Sequence, residues 1–129
     1  AAQGIKAFSE DKRLAFEPIR SLAELDARIK AAGKPVMLDF YAGWCVECKR
    51  LARYTFSDER VRQALSSHLL LQADVTANSE EDKALLARFK LFGPPGIIFF
   101  DANGKEIENV RVVGYQKADD FLATLALMR

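Results

Sequence analysis

The segment Val36-Met37-Leu38-Asp39-Phe40-Tyr41 constrains the fold of this chain more than any other. It is a short apolar run rich in strand formers, bounded by Lys34-Pro35 and by Gly43, and it reads as a buried strand. Such a strand belongs in a sheet with helices on its faces, and the rest of the sequence supplies them. Ser21-Leu22-Ala23-Glu24 has the form of a capping box, in which hydroxyl and carboxylate satisfy each other's backbone donors. Leu22, Leu25 and Ile29 follow at helical spacing, and Gly33 is placed to end that helix. A second helix is expected from about residue 44 to 54, and a third from a cap at Ser57-Asp58 to about Leu65.

Residues 69–75 form a second buried strand by the same reading. Asn78 and Ser79 precede three acids, Glu80-Glu81-Asp82, which the helix dipole favours in a first turn; Leu85, Leu86 and Phe89 then face inward. Gly93-Pro94-Pro95-Gly96 must interrupt regular structure. Residues 97–100 and 110–113 read as strands joined through the hairpin signal Asn103-Gly104, with Gly114 ending the second. Residues 117–128 close the chain as a helix with Phe121, Leu122 and Leu125 inward. The order predicts an α/β fold, a central mixed β-sheet flanked by helices on both faces. Residues 1–14 lack periodicity and read as an N-terminal arm or linker, which leaves 15–129 as the domain.

Composition removes several function classes. With 19 basic and 18 acidic side chains in 129 residues, the net charge of +1 gives no case for nucleic acid or an anionic membrane surface. Two cysteines and one histidine cannot build a disulfide framework or a four-ligand zinc site within one chain. No apolar stretch approaches the roughly 18 residues of a membrane helix, so direct membrane insertion is not expected. The start, Ala1-Ala2-Gln3-Gly4, has neither an initiator Met nor the regions of a signal peptide, so a processed chain or a piece of a longer one is expected.

The two cysteines lie three apart, in Trp44-Cys45-Val46-Glu47-Cys48, where the strand gives way to a helix. Both sulfurs then lie on one side of a first helical turn and can close a small disulfide ring. Cys45 sits where free backbone N–H groups stabilise a thiolate, which makes it the exposed nucleophile and Cys48, one turn deeper, the resolving thiol. Half of a zinc site shared by two chains, or a structural disulfide, fits the spacing as well; the position after a buried strand favours the redox reading. Asp39 is the second anomaly, an ionisable group within the apolar run. Alternation puts Met37, Asp39 and Tyr41 on one face. If the cysteine helix covers that face, the carboxyl lies beneath Cys48, with a pKa raised by burial, suited to taking and returning its proton. The alternative is a buried Asp bonded to backbone or water. Trp44 either shields the disulfide and meets partners or simply packs. Glu47, and Lys49, Arg50 and Arg53, read as solvated helix positions, and His68 as a surface residue.

Residues 38–48 together resemble the active-site strand and helix start of the thioredoxin superfamily, and Pro95 matches that superfamily's cis-proline. Trp-Cys-Val-x-Cys-Lys, Tyr54-Thr55-Phe56-Ser57-Asp58 and Gln72-Ala73-Asp74-Val75-Thr76-Ala77-Asn78 are similar to the C-terminal periplasmic domain of the DsbD family of bacterial inner-membrane thiol:disulfide interchange proteins. The resemblance implies a protein-disulfide reductase that relays electrons through Cys45–Cys48. The donor would be a transmembrane domain and the acceptor an N-terminal periplasmic domain, serving disulfide isomerases and cytochrome c maturation. It implies a periplasmic location tethered to the inner membrane, and neither metal nor organic cofactor; a monomer is expected. A free-standing thioredoxin-like reductase and a non-catalytic binding module are the alternatives. Three residues depart from the family pattern. Pro94 precedes the cis-proline, where relatives clamp a partner's backbone, and it has no N–H to give. Gly96 replaces a Thr, which is expected to loosen the loop. Ala52 stands where relatives can carry a Glu, leaving proton control to Asp39.

Overall fold

The computed structural model describes residues 14–128. The expected arm therefore lies outside the described residues except for Leu14, which packs at the edge of the core. The elements are β1 (Glu17–Pro18), α1 (Leu22–Ala32), β2 (Val36–Tyr41), α2 (Val46–Arg50), α3 (Glu59–Ala64), β3 (Leu69–Asp74), α4 (Glu80–Arg88), β4 (Gly96–Phe100), β5 (Val112–Val113) and α5 (Ala118–Ala126). They form one five-stranded sheet in the order β1-β3-β2-β4-β5. Strands β1, β3 and β2 run parallel, whereas β4 is antiparallel to both β2 and β5.

Side-chain alternation along the central strands builds two cores. Leu38, Phe40, Leu71, Ala73 and Ile98 face α1 and α4, meeting Leu25, Ile29, Leu85, Leu86 and Phe89. Met37, Ile97, Phe99 and Val112 face the opposite way, onto Leu51, Phe56, Val61, Leu65, Phe121 and Leu125. Edge-to-face contacts of Phe56 with Phe16 and Phe121, at 5.7 and 5.8 Å between ring centroids, tie the second core together. The expected mixed sheet with helices on both faces is thus the observed architecture.

Several local expectations are corrected. The two-residue strand β1 was not expected, because Glu17-Pro18 is polar and proline-containing and becomes a strand only by pairing with Leu71 and Gln72 of β3. In the α1 cap, Ser21 Oγ accepts from the Glu24 N–H as expected, but the Glu24 carboxylate accepts from Arg20 N–H, one residue earlier than a capping box requires. Ser79 and Asp82 form the full reciprocal box on α4. Val110 lies in a 3-10 turn, Glu108–Val110, and not in a strand; β5 is only Val112–Val113. The Asn103-Gly104 turn leads first to an isolated bridge between Phe100 and Glu106. His68 is half-buried, edge-on to Phe99, with Nδ1 unpaired among the described residues; burial lowers its pKa. Among the described residues no helix is long and apolar enough to cross a membrane.

The cysteine helix changes its winding as it proceeds. Beyond α2 the chain continues as a π-helical stretch, Leu51–Thr55, where Phe56 N–H reaches back five residues to the Leu51 carbonyl at 2.8 Å. The stretch ends on Thr55, fully buried, whose hydroxyl donates to the Gln116 carbonyl and so fixes the helix to the loop before α5. Thr55→Val keeps the shape but leaves that carbonyl without its donor, and is expected to cost about 1–3 kcal/mol in urea unfolding, with Thr55→Ser nearly neutral.

Candidate active site

The site begins where β2 ends. Ala42 accepts a hydrogen bond from Cys45 N–H at 3.1 Å, closing a turn through Gly43 and Trp44. Cys45 is the N-cap of α2, with an extended backbone, and its Sγ accepts from Cys48 N–H at 3.1 Å. Cys45 and Cys48 are joined as a disulfide. The expected contrast between an exposed Cys45 and a deeper Cys48 is not seen in this form. They are 5% and 4% exposed, because ring closure draws Cys45 Sγ onto the helix end it caps. Cys48 Sγ lies 3.8 Å from the Phe40 carbonyl oxygen, over the strand.

The turn is held from the segment just after β3. Thr76 Oγ1 accepts from Gly43 N–H at 2.8 Å, and the Thr76 carbonyl accepts from Trp44 Nε1 at 3.2 Å. Asp74 in turn receives the Thr76 hydroxyl and N–H. Trp44 is therefore anchored by its polar edge while most of its surface is exposed. On the other side, the Pro94–Pro95 bond is cis, Pro95 is buried, and its carbonyl accepts from Gly114 N–H at 3.4 Å. Gly96 pairs with Phe40, which places the proline at the same end of the sheet as Cys45.

Gly96, expected to loosen the loop, is closely covered by Leu91. A Cβ there would come within 2.7 Å of Leu91 Cδ1, so the Leu91 side chain already fills the space. Arg111 secures the loop's start: it pairs with Glu106, donates to the Phe89 carbonyl at 2.7 Å, and lies 5.8 Å from the Phe89 ring centre. Between these two fixings Phe92 is fully exposed.

Asp39 lies on the face covered by α2, as alternation predicts, and shares a cavity with Cys48. It is 4% exposed, and burial pushes its pKa up to about 7, a shift opposed by the hydrogen bond that Gln72 Nε2 donates to Oδ2 at 3.1 Å. Glu47 pairs with Arg50 at 3.1 Å on the solvated side, and Arg50 stacks on the Tyr115 ring at 4.1 Å. Among the described residues no cluster of His, Cys, Asp and Glu could hold a metal.

Sequence reasoning missed Gln72, Thr76 and Arg111 as supports of this site. Gln72 carried a readable signal, since an amide within a buried strand is the same kind of anomaly as Asp39, and the parallel register sets the two opposite each other. Thr76 and Arg111 act only through tertiary contacts and leave no local mark.

This fold and site have known counterparts. Residues 22–129 match the family described as thioredoxin-like domain, and the chain belongs to it. The match narrows further in whole-chain comparisons. The chain is 57% identical over 113 residues to the thiol:disulfide interchange protein DsbD of Ralstonia nicotianae, covering 85% of this chain and 18% of that protein. With DsbD of Yersinia enterocolitica it shares 53% identity over 118 residues, covering 91% and 20%. The crystal structure of the oxidised DsbD C-terminal domain of Neisseria meningitidis superposes with a TM-score of 0.74 at 38% identity, covering 88% of this chain and 100% of that one. Within the thioredoxin-like family, the chain belongs with the DsbD C-terminal domains, and it spans about a fifth of the length of the curated relatives it matches.

Because the Asp39 pKa is raised, the folded chain holds a proton between about pH 4 and 7 that the unfolded chain has released. The stability Asp39 confers is full below that window and is lost as pH rises through it. Asp39→Asn is expected to flatten this slope and to exceed the parent's stability above neutrality, by at most about 4 kcal/mol. Urea unfolding of both proteins at acid and alkaline pH measures it; parallel pH profiles would refute it.

Proposed function

We propose that this domain is an electron relay, a protein-disulfide reductase in which Cys45 exchanges disulfides with partner proteins and Cys48 resolves the mixed species. The observation that carries the reading is the position of the disulfide: capping a helix, at the same end of the sheet as a buried cis-proline, with a buried carboxyl sharing the cavity of the second sulfur. In the reducing half, a donor thiolate attacks Cys45 Sγ and breaks the Cys45–Cys48 bond. Cys48 leaves as a thiolate and takes the Asp39 proton. The donor's second thiolate then attacks its own sulfur joined to Cys45, leaving the donor oxidised and Cys45 as thiolate.

In the second half Cys45 attacks an acceptor disulfide. Cys48 returns its proton to Asp39, attacks Cys45, and releases the acceptor as a dithiol. Two electrons enter and two leave. A carboxyl with a pKa near neutrality suits a group that must both give and take a proton.

The parent chain is taken to supply both partners, a transmembrane donor domain and an N-terminal periplasmic domain, with this domain tethered at the periplasmic face of the inner membrane and serving cytochrome c-type biogenesis. No metal or organic cofactor takes part. Trp44 and the Pro94–Pro95 segment flank Cys45 as the partner-docking edge. Pro94 offers a carbonyl but no N–H, so a docked partner strand loses one backbone hydrogen bond.

Three outcomes test the reading. Cys48→Ala should accumulate a mixed disulfide between Cys45 and the N-terminal domain on gels without reductant, and Cys45→Ala should accumulate none. Pro94→Thr should lengthen the lifetime of that species; an unchanged lifetime would remove the clamp argument. The reduction potential should lie above the level of structural disulfides, about −300 mV, and a lower value would favour a binding module.

A further inference from the structure

The cavity that joins Asp39 to Cys48 does not open toward the partner-docking edge. Its floor is made by Asp39 and Cys48, both buried, and its mouth by Lys49, Ala52 and Arg53, all exposed. Leu14, Phe16 and Phe56 form an apolar wall, and Tyr41 and Gln72 complete the lining. Trp44, Cys45, Pro94 and Pro95 take no part in it. Among the described residues the Asp39 carboxyl receives one hydrogen bond, at Oδ2 from Gln72, which leaves Oδ1 to the cavity. The side chains facing Asp39 there are Tyr41 of β2, Gln72 of β3, and Cys48, Lys49 and Arg53 of the cysteine helix. The two cations at the mouth would draw small anions toward the buried carboxyl's end of the cavity.

We propose that this cavity is a rear port to the active site, admitting water and small carboxylic acids to Asp39 and carrying the Cys48 proton to and from solvent while a partner covers Cys45. The proposal rests on the relay reading and on Asp39 as the proton acceptor. In the resolving step the Cys48 S–H proton passes to the Asp39 carboxylate. Its electron pair forms the Cys45–Cys48 bond as the Cys45–partner bond breaks, with that pair leaving on the partner's sulfur. Asp39 passes that proton on to cavity water as the bond forms, and takes one up through the same port before the reducing half, in which the Cys48 thiolate takes it from Asp39.

Chemical rescue tests the port. The reduced chain is mixed with 5,5′-dithiobis(2-nitrobenzoate), whose chromophore is released once on attack by Cys45 and again on resolution by Cys48. Asp39→Ala should leave the first release unchanged and slow the second by about 100-fold. Added formate, small enough to occupy the vacated carboxyl site, should restore the second release saturably. Ala52→Leu in the same chain should narrow the mouth and remove most of the rescue, and Ala52→Ser should retain it. In the parent background Ala52→Leu should slow only the second release, more strongly in deuterated solvent. An unchanged second release in Asp39→Ala would overturn the role of Asp39 itself. A slowed release that formate does not restore, or restores equally with leucine at position 52, would leave that role standing and overturn the port.

Discussion

Strand β2 is hydrogen-bonded along both edges, to β3 in parallel and to β4 in antiparallel register, and this double pairing places the site. Parallel pairing brings the C-terminal ends of β2 and β3 together. Antiparallel pairing brings the start of β4 to the same end. The Cys45 turn, Thr76 and Pro95 are therefore neighbours by topology, and the bonds from Gly43 and Trp44 to Thr76 follow from that meeting of strand ends. Helices on both faces complete the burial of the strand, so nothing on β2 reaches solvent except near Tyr41.

That burial makes Asp39 an expensive residue for the strand to carry. An unpaired carboxylate in such a position costs several kcal/mol, and among the described residues one amide hydrogen bond, from Gln72, offsets it. A leucine would stabilise the sheet better. At Asp39 the sequence departs from the local rule, as functional sites commonly do, which supports the proton-transfer role proposed for it. The same logic covers the helix above. Beyond Cys48 it widens into a π-helical stretch that sends Phe56 into the core and ends on Thr55, bonded to the loop before α5.

Features encoded within a few residues were legible in the sequence: β2, the acidic first turn of α4 after Ser79, Gly33 at the end of α1, and a disulfide within reach of Cys45 and Cys48. Whatever a distant partner decides was not legible. Glu17-Pro18 is a strand only because β3 has a free edge, and Glu24 chose the Arg20 N–H over Ser21 because both lie within reach of its carboxylate. The cover that Leu91 gives Gly96 is likewise a tertiary contact that the residues around Gly96 do not announce. His68 looked like a surface residue because nothing near it in sequence shows that it meets Phe99, thirty-one positions away. For the site, Asp39 and the cysteines stood out by type and place, whereas Arg111, which braces the loop before Pro95, looked like any solvated arginine.

Three-residue spacing does more than permit a disulfide. It turns Cys45 toward the end of the helix, where the docking loop lies, and carries Cys48 one turn inward over β2, toward Asp39. In the relay proposed above, electrons enter and leave through the first sulfur, and protons are exchanged at the second. A site with a single opening would have to admit both through a surface that a partner covers at the moment the proton must move. The proposed arrangement separates them: the edge formed by Trp44, Cys45 and Pro94 would meet protein, while the cavity mouth at Ala52, between the exposed Lys49 and Arg53, would face water. In the proposed relay, a partner over the disulfide closes one opening and leaves the other free, so that proton exchange at Asp39 continues while the mixed disulfide lasts.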